Sequence, residues 1–271
     1  MQISNEDFER LHKYIKSNFG VNLEKKRTLI EGRLSNFIIQ EGFEGFHDYL
    51  DDVYKDRSGN KINALMTKLT TNYTYFMREK EHYKFMEEVA LPAWVQKIKN
   101  RDLRIWSAGC ASGEEAYTTV MVLQEWFGPT KIKQWDTKVL ATDISVKVLE
   151  MAKEGVYPEE HFEQLPAAWK TKYFDKIGEE RYKVKPVLRD GVHFGQFNLM
   201  GQFTRFKKKF HIIFCRNVMI YFDTPTKQAL AKKYHDALEI GGFLFIGHSE
   251  TLNGIQGDFR QVKPAIYQRV R

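Results

Sequence analysis

The chain has 271 residues, 42% of them hydrophobic and 14% aromatic, which excludes a disordered chain and suits one large domain or two smaller ones. Two cysteines, Cys110 and Cys215, are too few for a disulfide framework or a four-ligand zinc site. The sequence has no run of about 18 apolar residues that would predict a membrane span, and residues 1–10 lack a signal-peptide core. We therefore expect a cytoplasmic protein. Its net charge of +7 suits nucleic acid, an anionic membrane surface or an acidic protein as partner.

Apolar residues at helical spacing predict a small helical bundle in the first third of the chain. Ser4 is the predicted N-cap of its first helix, and Gly20 is the predicted stop signal. The apolar helical positions are Phe8, Leu11, Ile15 and Phe19; Leu29, Leu34, Phe37 and Ile38; Phe46, Tyr49, Leu50 and Val53; and Ile62, Leu65, Met66 and Leu69. The polar stretch 55–61 predicts a loop inside this bundle.

From about Leu103 onward, short apolar runs alternate with helical stretches, which predicts an α/β domain with a mainly parallel sheet. The predicted strands are 103–107, 137–142, 210–215 and 243–247, and the predicted helices are 114–127, 145–153 and 226–240. Residues 181–187 and 192–197, with Asp190-Gly191 between them, predict added β-structure with a turn.

The segment 105–115 reads as a strand that runs into a glycine-containing turn and then a helix. Small residues such as Gly109 allow a ligand to approach the backbone at the carboxyl end of the strand. The segment matches neither G-x-G-x-x-G nor a P-loop, which disfavours a phosphate cradle. Glu114 and Glu115 suit a cationic ligand, although they also complement the helix dipole.

Two later strand ends carry polar residues toward the same crevice. Asp143 follows one predicted strand and has either a ribose-binding role or a helix-capping role. Arg216, Asn217 and Tyr221 follow another, and we expect them to converge with Gly109 and Asp143. The alternative is that Arg216 only forms a salt bridge and Tyr221 fills core.

The segments 71–79, 107–115, 141–144, 198–199, 214–223 and 247–250 occur in the order and at roughly the spacing of the chemotaxis receptor methyltransferase family. The sequence resembles this family over nearly its whole length. The resemblance implies a class I (Rossmann-like) methyltransferase sheet with a small all-α N-terminal domain and an inserted β-subdomain. It places the helical domain at 1–75, a linker or helix at 76–92, and the methyltransferase domain at 93–271 with the β-subdomain at about 178–197.

The resemblance also implies S-adenosylmethionine as cofactor, S-adenosylhomocysteine as its product, and no metal. The residues expected to contact the cofactor are Asn72, Thr74, Arg78, Glu115, Asp143, Asn198, Leu199, Arg216 and Asn217, and Gly109 joins them from its place at the strand end. Arg78 and Tyr221 are expected to border the methyl-transfer site as catalytic residues. A glutamate carboxylate, the implied acceptor, is ionised near neutral pH because its pKa is about 4.3, so no general base is needed.

The implied partners are the cytoplasmic helices of bacterial chemoreceptors. Lys25, Lys26, Arg27 and Arg33 would steer these acidic helices, or they form an ordinary solvated helix face. Whether the β-subdomain also binds a receptor C-terminal tail peptide is open, and we expect a monomer that neither binds nucleic acid nor inserts into membranes. The alternatives are a nucleic-acid methyltransferase, favoured by the basic charge, and a catalytically silent cofactor-binding or receptor-binding scaffold.

Overall fold

Four helices form the N-terminal part of the computed structural model, which describes residues 1–254 and 258–271. They are α1 (Asn5–Phe19), α2 (Arg27–Gln40), α3 (Phe46–Lys55) and α4 (Asn60–Leu69). The predicted N-cap is confirmed, since Ser4 Oγ accepts a hydrogen bond from the backbone N–H of Asp7 at 3.0 Å. Gly20 ends α1 with a φ of 74°, a left-handed conformation that glycine adopts at little cost.

The predicted apolar faces of these helices form the core of the N-terminal part. Ile30, Leu34 and Ile38 lie on the inner face of α2 and are fully buried. Leu29 was expected there and instead is 39% exposed, because it lies next to Ile30 on the helix and points about 100° away from it.

A helical run connects this part to the α/β part of the chain. It comprises α5 (Lys80–Phe85), a π-helical turn (Met86–Ala90) and α6 (Leu91–Lys97), so it extends beyond residue 92, the predicted end of the linker. The strands that follow are β1 (Ile105–Ala108), β2 (Val139–Asp143), β3 (Val156–Pro158), β4 (Phe174–Lys176), β5 (Arg181–Val184), β6 (Val192–Gln196), β7 (Phe210–Cys215), β8 (Leu238–Ile246), β9 (Phe259–Lys263) and β10 (Ile266–Arg269). The helices among them are α7 (Glu114–Lys131), α8 (Val146–Glu154), α9 (Ala167–Tyr173), α10 (Pro186–Arg189) and α11 (Thr224–Ala237).

The main sheet has seven strands in the order β6-β2-β1-β7-β8-β10-β9. The first five are parallel, while β10 and β9 are antiparallel to their neighbours, which confirms the predicted α/β class. Ile105 of β1 is in register with Val139 on one side and Ile212 on the other. Because the strand order reverses between β1 and β7, the carboxyl ends of these strands border the crevice in which such sheets bind ligands.

The segments 181–187 and 192–197, predicted to form added β-structure with a turn between them, do not belong to the same sheet. β5 belongs to a separate three-stranded sheet of order β3-β5-β4, whereas β6 pairs in parallel with β2. Pro186 begins the short α10, and the backbone N–H of Gly191 closes this turn onto the carbonyl of Leu188 at 3.1 Å. The added β-structure therefore lies at 156–184, and not at 178–197.

The N-terminal part packs directly against the carboxyl edge of the main sheet. Val21 forms a β-bridge with Phe222, and the backbone N–H of Asn22 donates to the carbonyl of Tyr221 at 2.8 Å. Asn198 Nδ2 donates to the carbonyl of Asn18 at 2.7 Å. Through these contacts the N-terminal part covers the crevice at the carboxyl edge of the sheet. Among the helices in the described ranges, none has the length and apolarity needed to cross a membrane.

Candidate functional site

A cavity of about 310 Å³ lies between the N-terminal part and the carboxyl ends of β1, β2 and β7. All of the residues predicted for the cofactor and transfer site line it: Asn72, Thr74, Arg78, Gly109, Glu115, Asp143, Asn198, Leu199, Arg216, Asn217 and Tyr221. The structure thus brings together side chains from segments that are far apart in the sequence.

The turn after β1 requires glycine at position 109. Gly109 has a φ of 98°, and a Cβ atom there would lie 2.4 Å from Val218 Cγ2. The backbone N–H groups of Gly109 and Cys110 both donate to the carbonyl of Thr142, at 2.7 and 3.0 Å. The turn is therefore bound to the end of β2, beside Asp143.

Asp143 is anchored by backbone donors at the floor of the cavity. Its Oδ2 accepts from the N–H of Ala111 at 3.0 Å, and its Oδ1 accepts from the N–H of Ser145 at 2.9 Å. Burial raises the pKa of this carboxyl group, and the backbone hydrogen bonds partly offset the rise. The N-cap of α8 is Ser145, whose Oγ accepts from Val148, so the capping interpretation of Asp143 is wrong.

Arg216 is the centre of a buried ion network at the wall of the cavity. Its side chain is 2% exposed, and Nε donates to Glu79 Oε2 at 3.1 Å. Nη1 donates to Tyr83 Oη and to Glu115 Oε2, both at 3.2 Å, and Nη2 donates to the carbonyl of Arg78. Arg216 thus lines the cavity and also forms the salt bridges that the alternative interpretation predicted.

Burial and the neighbouring charges together determine the pKa of each group in this network. Burial lowers the pKa of Arg216, but Tyr83, Glu115 and Glu79 reverse this effect and raise it. Burial raises the pKa of Glu79, yet Arg216 and the N–H of His248 hold it below its ordinary value. Glu115 has a raised pKa because burial outweighs Arg216 and the hydrogen bond from Ser107 Oγ, which is 2.6 Å long. Glu79 and Glu115 therefore both pair with Arg216, and the pKa of Glu79 is lowered while that of Glu115 is raised.

A segment comprising residues 71–75, here called the strap, forms one wall of the cavity. Arg78 Nη1 donates to the carbonyl of Tyr73 at 2.8 Å, and Tyr221 Oη donates to the carbonyl of Thr71 at 3.3 Å. Both predicted catalytic side chains therefore hold the strap. Arg78 is half-buried and makes one side-chain hydrogen bond within the described residues, so further guanidinium donors are available to a ligand.

Two residues that support the site were missed by the sequence analysis. Glu250 accepts from the N–H of Asn217 at 2.9 Å and of Ile220 at 3.1 Å, which fixes the loop after β7. Lys233 Nζ donates to the carbonyls of Leu199, Met200 and Gly201, at 3.2, 2.8 and 3.0 Å. Glu250 lies in segment 247–250, one of the segments that resemble the family, and could have been recognised as a site residue. Lys233 on α11 carries no sequence signal.

The four basic residues predicted to bind the substrate do not line the cavity. Lys25 and Lys26 are exposed just before α2. Arg27 donates to the carbonyl of Ile3 at 2.7 Å and lies over the ring of Phe8, 4.4 Å from its centroid. Arg33 donates to the carbonyl of Leu69 at 2.8 Å and to Thr71 Oγ1 at 2.6 Å, so it supports the strap.

Comparison with known proteins matches both parts of the chain to one family. Residues 72–267 match the family described as "CheR methyltransferase, SAM binding domain", and residues 6–70 match "CheR methyltransferase, all-alpha domain". A chemotaxis protein methyltransferase of Borreliella burgdorferi is 42% identical, with 99% of this chain and 96% of the relative covered. Chemotaxis protein methyltransferase 2 of Pseudomonas aeruginosa is 35% identical (97% and 92% covered), and the chemotaxis protein methyltransferase of Escherichia coli is 31% identical (98% and 92% covered).

Proposed function

Because the chain belongs to the CheR methyltransferase family, we propose that it transfers the methyl group of S-adenosylmethionine to glutamate side chains of bacterial chemoreceptors. The products are glutamyl methyl esters and S-adenosylhomocysteine. The observation that carries this proposal is the convergence of all the predicted cofactor residues on one cavity at the switch point of the sheet.

The chemistry of the cavity fits this cofactor. Asp143 has lone pairs beyond the two that its backbone donors use, and these suit ribose hydroxyl groups. Leu199 and Val218 add apolar surface, while Glu115 and Arg216 offer opposite charges for an amino-acid group. When bound, S-adenosylmethionine supplies a methyl group activated by a positively charged sulfur.

In this reaction the residues of the chain position the reactants and exclude water. The acceptor carboxylate is ionised at neutral pH, so no proton has to be removed. We propose that the free donors of Arg78 hold one oxygen of this carboxylate while the other faces the methyl group. Tyr221 and the strap exclude water, which would otherwise stabilise the separated charges more than the transition state.

Exposed lysines and the small sheet are the proposed receptor contacts. Lys25 and Lys26 are free to steer an acidic receptor helix, whereas Arg27 and Arg33 are committed to contacts within the N-terminal part. The strand β4 lies at an edge of its three-stranded sheet, where an extended tail peptide can add as a further strand. We propose that the chain acts in the cytoplasm as a monomer.

The lysine contacts can be tested by charge reversal. Changing Lys25 and Lys26 together to Glu should raise KM for receptor and weaken its salt dependence, while kcat stays near the wild-type value. The matched control changes Lys147 and Lys153 on α8 to Glu, two further exposed lysines. An equal rise in KM for both variants would reduce the effect to net charge alone.

The whole function is tested by methyl transfer from radiolabelled S-adenosylmethionine to membranes that contain the host's chemoreceptors. Release of labelled methanol by base identifies an ester, and receptors whose modified glutamates are changed to Ala should accept no label. Repeating the assay with receptors that lack the C-terminal tail tests the contribution of β4. Cofactor binding without any ester formation would support the scaffold alternative instead.

A further inference from the structure

A cluster of three potential metal ligands lies behind Arg216, outside the cavity. One ligand atom each from Glu79, His82 and His248 can be chosen so that all three lie within 4.8 Å of one another. Glu79 and His82 flank the start of α5, whereas His248 follows β8. None of the three lines the cavity, so the cluster is distinct from the proposed methyl-transfer site.

The imidazole of His82 is the feature that points to a ligand. Its side chain is 1% exposed, and neither ring nitrogen has a hydrogen-bond partner among the described residues. Nδ1 lies 3.4 Å from Glu79 Oε2, and the ring centroid lies 4.8 Å from that of His248. A buried, unpaired polar side chain is costly, so a group that pairs with it is expected.

The other two members of the cluster leave room for such a group. Glu79 accepts from Arg216 Nε and from the N–H of His248, which uses two of the roughly four lone-pair positions of a carboxylate. The side chain of His248 is exposed and gives access from solvent. Two carboxylates, Glu79 and Glu115, face the single charge of Arg216, which moderates its repulsion of a cation.

We propose that Glu79, His82 and His248 bind a divalent transition-metal ion of the zinc class. Two imidazoles and one carboxylate form a ligand set typical of zinc sites that keep a fourth position for water. Oxygen-preferring ions such as Mg²⁺ and Ca²⁺ fit this set poorly. Because Glu79 also binds Arg216, the ion is coupled to the wall of the cofactor cavity, and its binding should change the affinity for S-adenosylhomocysteine.

The test uses untagged full-length protein that has been freed of metal with a chelator. Zn²⁺ is titrated in competition with a chromophoric chelator, and Co²⁺ is titrated while its visible d–d bands are recorded. We expect one ion per chain, and a loss of affinity of at least about tenfold in His248→Ala. The control is His193→Ala, which removes an exposed histidine on β6.

A second variant, His82→Gln, should also lose the ion, with circular dichroism used to verify that it folds. Absence of Zn²⁺ and Co²⁺ binding by the wild-type protein would overturn the proposal. So would unchanged affinity in His248→Ala, or an equal loss in His193→Ala. These readouts do not depend on methyl transfer, so the metal site can fail while the proposed function holds, and the reverse.

Discussion

Arg216 Nε donates to Glu79 Oε2 at 3.1 Å, and this bond joins the end of β7 to a residue that lies 137 positions earlier in the chain. Glu79 is the residue before α5 and has a φ of 55°, an uncommon conformation for a residue with a side chain. Its strain is tolerated because its carboxylate is fixed at both oxygens, by Arg216 and by the N–H of His248. The bond therefore couples the strap, which precedes Glu79, to the loop after β7 that carries Arg216.

Replacing Glu79 with Gln should destabilise the protein and weaken cofactor binding. The variant keeps a hydrogen-bonding side chain but leaves the buried charge of Arg216 with only Glu115, whose pKa is raised by burial. We expect a loss of about 2–3 kcal/mol in the free energy of unfolding, measured by urea denaturation with chelator present. Glu88→Gln is the control, since Glu88 is exposed and its Oε1 lies 3.8 Å from Lys84 Nζ. Equal stability of the two variants would contradict the role given to Glu79.

Lys233→Met should weaken cofactor binding while the methylene stem of the side chain continues to pack. Lys233 holds three successive carbonyls of the loop 199–201, and burial lowers its pKa. Loss of these bonds frees the segment that places Asn198 and Leu199 at the cavity. We expect calorimetry to show S-adenosylhomocysteine affinity reduced about 5- to 30-fold, that is by about 1–2 kcal/mol. Lys232→Met, one position along α11 and exposed, should bind as the wild type does.

The stability of the protein should fall as the pH rises past the pKa of His161. His161 Nδ1 lies 2.7 Å from Glu114 Oε1, and this hydrogen bond raises the pKa of His161 above its ordinary value of 6.5. Since the folded state binds the proton more tightly, the stabilisation is fully present below pH 6.5 and is lost as the pH rises through the folded-state pKa. His161→Gln should flatten this dependence in denaturation curves recorded across the range. His193→Gln should retain it, because His193 is exposed on β6.

The same ion pair shows why sequence reasoning stopped short of some contacts. Glu114 was interpreted as a partner for a cationic ligand or for the helix dipole, but it is fully buried and bonds to His161 and to Ser112 Oγ. His161 lies between β3 and α9, in the small sheet region whose position the sequence did not predict. Long-range pairing of this kind is decided by packing and leaves no local periodicity.

The elements that were predicted well are those with strong local signals. The strand 210–215 was predicted with the bounds of β7, since a short, mostly apolar run ends there at a polar segment, and all six of its residues are buried. The helix predicted at 114–127 begins where α7 does, but α7 continues to Lys131 across a kink at Gly128. The strand-end rule likewise predicted that Asp143 and Arg216 would meet near Gly109, because parallel strands share one carboxyl edge.

Asp143→Ala should weaken cofactor binding by on the order of 1–3 kcal/mol, the cost of leaving buried hydroxyl groups unpaired. The same substitution should also lower the stability of the protein. Asp143 also accepts from the N–H groups of Ala111 and Ser145, so the variant should unfold at a lower urea concentration as well. Asp136→Ala, at an exposed position before β2, is the control for both measurements. An unaltered cofactor affinity in a less stable Asp143→Ala protein would make Asp143 purely structural.

Arg78→Lys should slow turnover more than it weakens cofactor binding. In the structure Arg78 uses Nη1 to hold the carbonyl of Tyr73, and its planar guanidinium can still offer donors to an acceptor carboxylate. Lysine keeps the charge, but a single ammonium group cannot reach the strap and the carboxylate with the same fixed geometry. If this alignment contributes about 2–3 kcal/mol, kcat should fall roughly 30- to 150-fold at saturating cofactor. Calorimetry with S-adenosylhomocysteine separates binding from turnover, and Arg57→Lys, an exposed loop residue, is the matched control. Wild-type turnover in a folded Arg78→Lys protein would mean that Arg78 contributes only its charge, and a parallel loss of cofactor affinity would assign it to the cofactor alone.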